Sequence, residues 1–289
     1  RQGELREPAK TAGPVLNNVF SSRIPLKQAN ARCQTLLECW GEPLAVLATP
    51  FGYNGGRRYR EIAWEHLLRN HAHDSICGCS LDQVHQDMQY RFDQARLLAE
   101  LVRREAAEAV AYRTAVATEE GDTVFQVWNP LPMGREVVAD LRLSLPCGED
   151  ESVGRHDPVD SQTFELLDAA GRAVPYQVLR RGSPVQTSFQ RPNGFSFFDT
   201  RCPVEVAARL KLPASGYTTL IVRKLERRRL VRGSLSPAPG VMENDFLRVA
   251  IQMDGNFSLT DKRNGAVYRD LGALEDTADV GDGGNHFRP

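Results

Sequence analysis

The chain has 289 residues, of which 41% are hydrophobic and 25% are charged, and its formal net charge is −1. This composition is ordinary for a globular protein with one or two hydrophobic cores, and the near-neutral charge argues against nucleic acid or an anionic membrane as the main partner. No apolar run approaches the ~20 residues that a membrane-spanning helix needs.

Residues 1–24 are expected to be a connector, the remnant of an upstream domain, because prolines and a glycine surround one short apolar piece from Val15 to Phe20. From Leu26 to Leu47 apolar residues recur at spacings of three and four, which predicts an amphipathic helix. Pro43 should kink or briefly break this helix, since proline removes a hydrogen-bond donor and clashes with the preceding turn.

Two further helices are predicted. One runs from about Arg57 to Asn70, and the other begins near Ser80, where Gln83 three residues later completes a capping-box pattern. The apolar stripe of this last helix continues for about 35 residues, or on the order of 50 Å. A helix of that length must bury its stripe against neighbours, so residues 25–118 are predicted to form a three-helix bundle.

From residue 122 to 289 the apolar period changes to two, which favours an antiparallel β-sandwich-like region, expected to be incomplete at its C-terminal end. Asp254-Gly255-Asn256 and Arg263-Asn264-Gly265 are hairpin turn signals. A stretch rich in glycine and proline at 233–240 could separate two β-subdomains. The predicted strands are Thr123–Trp128, Val137–Leu145, Phe164–Leu167, Ala173–Leu179, Phe195–Phe198, Val204–Leu212, Tyr217–Val222, Phe246–Ile251 and Phe257–Thr260.

The most informative segment lies between the second and third helices, where residues 71–80 read HAHDSICGCS. Imidazole is a common neutral metal ligand, and a carboxylate beside it can orient the ring, ligate a metal or accept hydrogen bonds from substrate hydroxyls. Alternatively, a histidine at a helix end only satisfies a carbonyl and the helix dipole. One or two imidazoles cannot hold zinc, which needs about four ligands, so any remaining ligands must come from elsewhere.

The wider segment, NHAHDSICGCS at 70–80 followed by Asp82, His85 and Met88, resembles the signature of glycoside hydrolase family 38, the zinc-dependent α-mannosidases. It is most similar to the bacterial branch that includes mannosylglycerate hydrolases. Four other segments support the resemblance: SSRIPLKQAN at 21–30, WNPL at 128–131, ENDFLRV at 243–249 and DVGD at 279–282.

The resemblance implies roles for individual residues. His73 would ligate the catalytic zinc and Asp74 would hydrogen-bond the sugar hydroxyls, whereas His71 has no assigned role. Both His73 and Asp74 are expected in the loop between the second and third helices, at or near the surface, because their partners would lie on the family's α/β domain. Cys77 and Cys79 stand where more distant members have threonines, and are expected to be small packing residues. Asp282 either lines the sugar pocket or is a loop aspartate in a glycine-rich turn.

The family's retaining chemistry needs two carboxylates that flank the glycosidic bond, and the resemblance places both in an amino-terminal α/β domain. No catalytic residue is therefore expected in this chain, which starts at Arg1 without a methionine. We expect it to be an inactive piece of a longer enzyme with little zinc of its own. Its partners would be the α/β domain, an α-mannoside or related carbohydrate, and a second copy if the protein forms a homo-oligomer.

A second hypothesis is a non-catalytic carbohydrate-binding or scaffolding module, because a β-sandwich can function without catalysis and fold alone does not decide function. The six cysteines include only one close pair, Cys77 and Cys79. That pattern predicts neither a disulfide framework nor a zinc ribbon, and so favours a reduced, cytoplasmic setting.

Overall fold

The computed structural model describes residues 17–146, 161–189, 194, 196–230, 235–274, 278 and 280. The chain divides into two compact units. Among the described residues, the first unit runs to Arg229 and contains all the helices and most of the strands, while the second runs from Leu230 to Val280. The mixture of helices and antiparallel sheet that was predicted is confirmed.

The helices occupy the first part of unit 1. Their bounds are a 3-10 helix at Asn17–Phe20, α1 at Ile24–Gln34, a π-helical segment at Thr35–Gly41, α2 at Glu42–Leu47, a 3-10 turn at Thr49–Phe51, α3 at Arg57–Arg69, α4 at His73–Cys77 and α5 at Asp82–Ala111.

Pro43 does not break the first helix in the way its sequence suggested. The Gly41 backbone keeps right-handed helical angles, and α1 continues into α2 through the π-helical segment. The amide of Glu42 donates to the Leu37 carbonyl, five residues back. Pro43 then falls in the first turn of α2, where a missing N–H is tolerated. A wider turn thus accommodates the proline.

Helix α5 is the longest, with 30 residues or about 45 Å. It packs against α1 and α3 around Phe92, which is 1% exposed. The helix begins at Asp82, close to the predicted start near Ser80, but the predicted capping box is absent, because Leu81 is the N-cap and no side chain caps it. Leu81 is also 78% exposed.

The strands are β1 at Thr123–Asn129, β2 at Arg135–Pro146, β3 at Ser161–Asp168, β4 at Tyr176–Arg181, β5 at Val185–Phe189, β6 at Phe197–Leu212, β7 at Gly216–Leu230, β8 at Val241–Glu243, β9 at Leu247–Ile251, β10 at Phe257–Asp261 and β11 at Ala266–Leu271. The sequence did not predict β5, β8 or β11. It also predicted two separate strands, Phe195–Phe198 and Val204–Leu212, where the structure has the single strand β6.

Two antiparallel sheets in unit 1 share one hydrophobic core. The first has the order β1-β7-β3, and the second has the order β2-β6-β4 with β5 also paired to β6. Val206 from the second sheet and Leu220 from the first are both buried in this core. Cys202 in β6 is disulfide-bonded, which the cysteine spacing had not predicted.

The helices and the first sheet of unit 1 meet at a second buried cluster. Val110 near the end of α5 packs with Trp128 and Tyr217, whose ring centroids lie 4.7 Å apart. The hydroxyls of Thr114 and Tyr217 are hydrogen-bonded at 2.9 Å. Asn129, which is 1% exposed, donates to the carbonyls of Met133 and Pro213. The WNPL segment therefore serves the packing of the sheet.

The second unit contains one four-stranded antiparallel sheet with the order β11-β10-β9-β8. Both predicted hairpin turns are present. Gly255 and Gly265 have left-handed backbone angles, with φ of 87° and 74°, which favour glycine. Their neighbours Asp254 and Asn264 accept hydrogen bonds from backbone amides two residues on.

Candidate functional site

His73 and Asp74 form the start of α4, a five-residue helix between α3 and α5. The sequence had predicted a loop here. Ala72, in an extended conformation, is the N-cap, and the helix ends at Gly78, whose φ of 89° closes it through a hydrogen bond from the Cys79 amide to the Asp74 carbonyl. A single helical turn therefore presents both candidate side chains.

Both candidate side chains lie at the surface, as expected. The His73 side chain is 92% exposed and that of Asp74 is 66% exposed, with Nε2 of the imidazole 3.1 Å from Oδ1 of the carboxylate. Neither is engaged in the core, so both remain available to a ligand. An imidazole nitrogen and a carboxylate oxygen are suitable donors for zinc.

The described residues supply only part of a zinc site. Over the described ranges, no group of three or more histidine, cysteine, aspartate or glutamate side chains is arranged to hold a metal ion. His73 with Asp74 thus fits one side of a coordination shell. Asp282, the other predicted sugar ligand, lies outside the described residues.

Two free thiols, Cys77 and Cys79, follow the candidate pair in the chain. The Cys79 thiol lies 3.7 Å from Oδ1 of Asp74. Desolvation and, after it, the Asp74 carboxylate raise the pKa of Cys79. Cys79 is exposed, so the expectation that it is a packing residue was wrong.

The two other histidines of this region face inward. His71 uses Nε2 to contact Oδ1 of Asn30 in α1 at 2.6 Å. His85 in the first turn of α5 is 5% exposed. Neither of its ring nitrogens makes a hydrogen bond of ordinary geometry. The main chain at Ser75 is still close enough to favour protonation of the ring. Desolvation outweighs this contact and lowers the pKa of His85. The only sequence signal for this burial was the position of His85 relative to the apolar residues that recur along α5.

Comparison with known proteins identifies the region. The family described as "Alpha mannosidase middle domain" matches residues 15–110. A relative from Halalkalibacterium halodurans, which carries the provisional name mannosylglycerate hydrolase, is 31% identical over 96% of this chain and 32% of its own length. Residues 15–110 thus resemble an α-mannosidase middle domain, and the chain as a whole is similar to about a third of this longer relative.

Two solved structures are similar to nearly the whole chain. An α-mannosidase from Enterococcus faecalis V583 has a TM-score of 0.76 and 27% identity, over 94% of this chain and 32% of its own. A second structure, a protein in glycosyl hydrolase family 38 from Enterococcus faecalis, has a TM-score of 0.74 and 27% identity, with 94% and 33% covered. The chain thus spans about a third of the length of these relatives.

Proposed function

We propose that this chain is part of a zinc-dependent retaining glycoside hydrolase that cleaves α-mannosides or related α-glycosides. The observation that carries the proposal is the exposed pair of His73 and Asp74 on α4, within a chain that is 31% identical over most of its length to a relative named as a hydrolase. The helices would form the three-helix bundle of the middle domain, and His73 would contribute one zinc ligand.

The remaining machinery belongs to the rest of the full-length protein in this proposal. Retention needs a nucleophile and an acid/base about 5 Å apart, and a zinc site needs about four ligands. Bound zinc would attract the sugar's ring hydroxyls and help to hold the sugar in a distorted ring shape. Asp74, beside His73, would accept hydrogen bonds from those hydroxyls, as would Asp282. The chain alone should therefore neither hydrolyse α-mannosides nor bind zinc tightly.

The test uses the full-length protein, measuring zinc by elemental analysis and turnover with an aryl α-mannoside. We expect His73→Ala to lose zinc and to lower turnover by more than about 100-fold, because removal even of groups that only support a metal ligand costs 10–100-fold. His66→Ala is the matched control, since that imidazole lies on α3 and faces Tyr90 at 6.4 Å between ring centroids. If His73→Ala retains stoichiometric zinc and the normal rate, the assignment of His73 is wrong.

Asp74→Asn separates sugar binding from metal binding. An amide cannot accept hydrogen bonds through both of its terminal atoms, so KM for the mannoside should rise while zinc content stays unchanged. Asp282→Asn should have the same effect if Asp282 lines the pocket, and none if it is a loop residue. A full-length protein that binds mannosides without hydrolysing them would favour the carbohydrate-binding module instead.

Compartment and assembly also remain predictions. No helix among the described residues combines the length and the apolar character that crossing a membrane would require. The reduced cytoplasmic setting was predicted from the cysteine pattern, and the bonded state of Cys202 counts against it. Sedimentation of the full-length protein would show whether it associates with a second copy.

A further inference from the structure

Helix α4 is too short to hold its own conformation. It has five residues, whereas isolated helices below about 12 to 15 residues are marginal in water because the first turn is costly to form. None of its residues is fully buried, and His73 and Asp74 at its start are exposed. Contacts from outside the helix must therefore fix the position of these two side chains.

Lys27 on α1 supplies two of these contacts, in addition to the packing of Ile76 against the helical core. Its Nζ donates to the carbonyls of Ile76 at 2.8 Å and Cys77 at 3.2 Å, which are at the C-terminal end of α4. A third bond reaches the Ser22 carbonyl at 2.5 Å. An ammonium group has three donors, so all three are used on main-chain acceptors. The positive charge also complements the carbonyl end of the helix.

Arg23 reinforces the same end of α4. Its Nε donates to the Gly78 carbonyl at 3.2 Å, and its Nη2 forms an ion pair with Asp82 at 2.6 Å. Arg23 itself has a left-handed backbone with φ 50°, a strained conformation that persists only where surrounding contacts support it. Ser22 approaches Gly78 so closely that a Cβ there would lie 3.0 Å from the serine Oγ.

The segment SSRIPLKQAN at 21–30 thus touches both sides of the candidate site. Arg23 and Lys27 hold the end of α4, and Asn30, three residues further along the helix, contacts His71 before α4 begins. A spacing of three residues places Lys27 and Asn30 on one face of α1, and Arg23 is the N-cap of that helix. Desolvation lowers the pKa of Lys27, as expected for an ammonium group enclosed by this packing.

We propose that Lys27 is a positioning residue, which sets the orientation of His73 and Asp74 by binding the main-chain carbonyls at the end of α4. The inference rests on the proposed function for the roles of these two residues. Without the ammonium group, the Ile76 and Cys77 carbonyls lose their shared donor and α4 frays. The imidazole of His73 then samples many positions, so zinc binding weakens even though His73 is still present.

The experiment compares Lys27→Met with Arg32→Met in the full-length protein. Methionine keeps the apolar stem and removes the three donors, and Arg32 is an exposed cation on the same helix. Hydrogen exchange of the zinc-free protein is followed at the amides of Ile76, Gly78 and Cys79, which are hydrogen-bonded within α4 and its closing turn. Zinc affinity and the kinetics of aryl α-mannoside hydrolysis are measured in parallel.

In Lys27→Met we expect exchange at these three amides to accelerate at least 10-fold, while amides in the middle of α5 stay protected. The zinc Kd should rise about 10- to 100-fold, the range seen when a group that supports a metal ligand is removed. Lys27→Arg, which keeps charge and donors on a different geometry, should fall between wild type and Lys27→Met. Arg32→Met should match the wild type in every readout.

Unchanged exchange and zinc affinity in Lys27→Met would overturn the inference, as would faster exchange throughout α1 and α5, which would make Lys27 a general stabiliser of the fold. Lys27→Gln allows the same comparison if the methionine variant is not recovered folded. A wild-type protein that neither binds zinc nor hydrolyses the substrate would instead refute the proposed function. The exchange comparison would still decide whether Lys27 holds α4 in place.

Discussion

The helices of the first unit and the four-stranded sheet of the second are stabilised in different ways. In the helices, residues far apart in sequence, such as Leu37 and Phe92, are almost completely buried together. In the sheet, none of the described residues from 235 to 274 is buried, and local contacts such as the ion pair of Arg263 with Asp261 mark the turns. The candidate site is on the region whose shape depends on distant contacts.

The largest difference should come from truncating one aromatic residue in each region. Phe92→Ala removes a side chain that is 1% exposed at the centre of the helical core and should lower the free energy of unfolding by about 3–5 kcal/mol. Tyr268→Ala in β11, which is 53% exposed, should change it by less than about 0.5 kcal/mol. Urea unfolding measures both. Equal losses would show that the two regions do not differ in this way.

Two glycines sharpen the comparison at the level of the backbone. Gly78 and Gly265 both have left-handed angles, so alanine costs roughly 1–2 kcal/mol at either position. At Gly78 the new Cβ would also lie 3.0 Å from Ser22 Oγ, whereas at Gly265 nothing lies within 4 Å. We expect Gly78→Ala to cost an additional ~1–3 kcal/mol through crowding. If the two variants are equally stable, then the Ser22 side chain moves away from the new Cβ at no measurable cost.

The smallest effect should be a difference in pH response. His85 has a native pKa below its ordinary 6.5, chiefly because burial disfavours the charged ring and secondly because Arg23 is near. The unfolded chain therefore binds the proton first, so stability is fully present above pH 6.5 and falls as pH drops from 6.5 toward the native pKa. In His85→Gln, urea unfolding at pH 7.5 and pH 5.5 should differ less than in the wild type.

The second unit provides the control for that pH experiment. Hydrogen bonds from Arg263, first from its side chain and then from its amide, lower the pKa of Asp261 to about 2. Its contribution is present above the ordinary value of 3.8 and is lost as pH falls toward 2. Asp261→Asn should therefore leave the difference between pH 7.5 and pH 5.5 unchanged. A change in that window would mean that other groups dominate the response.

Periodicity predicted the elements that depend on one apolar face. The helix from Arg57 and the stripe through Phe92 were correct because a helix in contact with a core repeats its apolar residues at 3.6. Both glycine turns of the second unit were also correct, since left-handed angles are encoded locally. The strands β5 and β8 were missed, because their exposed or half-buried residues carry no strong alternation.

The candidate site shows the limit of sequence reasoning. His73 and Asp74 were singled out from their motif, and their exposure was expected, but the single helical turn that presents them was not. Nothing in residues 73–77 favours a stable helix by itself. The carbonyls at its C-terminal end accept hydrogen bonds from Lys27, some 50 residues earlier in the chain, and no local pattern encodes that contact.

The sequence by itself determined which side chains can carry chemistry, which of the strongly periodic segments are helical or extended, and which family the chain resembles, because these are properties of residue type and local spacing. Only the tertiary structure decided that α1 continues into α2 through a π-helical segment, which accommodates Pro43. It also decided that His85 is buried while His73 is exposed. The hydrogen bonds from Lys27 and Arg23 to the end of α4 are likewise a tertiary outcome. These outcomes depend on which surfaces meet when distant segments pack, and hydrogen bonds across 49 or 55 residues leave no periodic trace in the sequence.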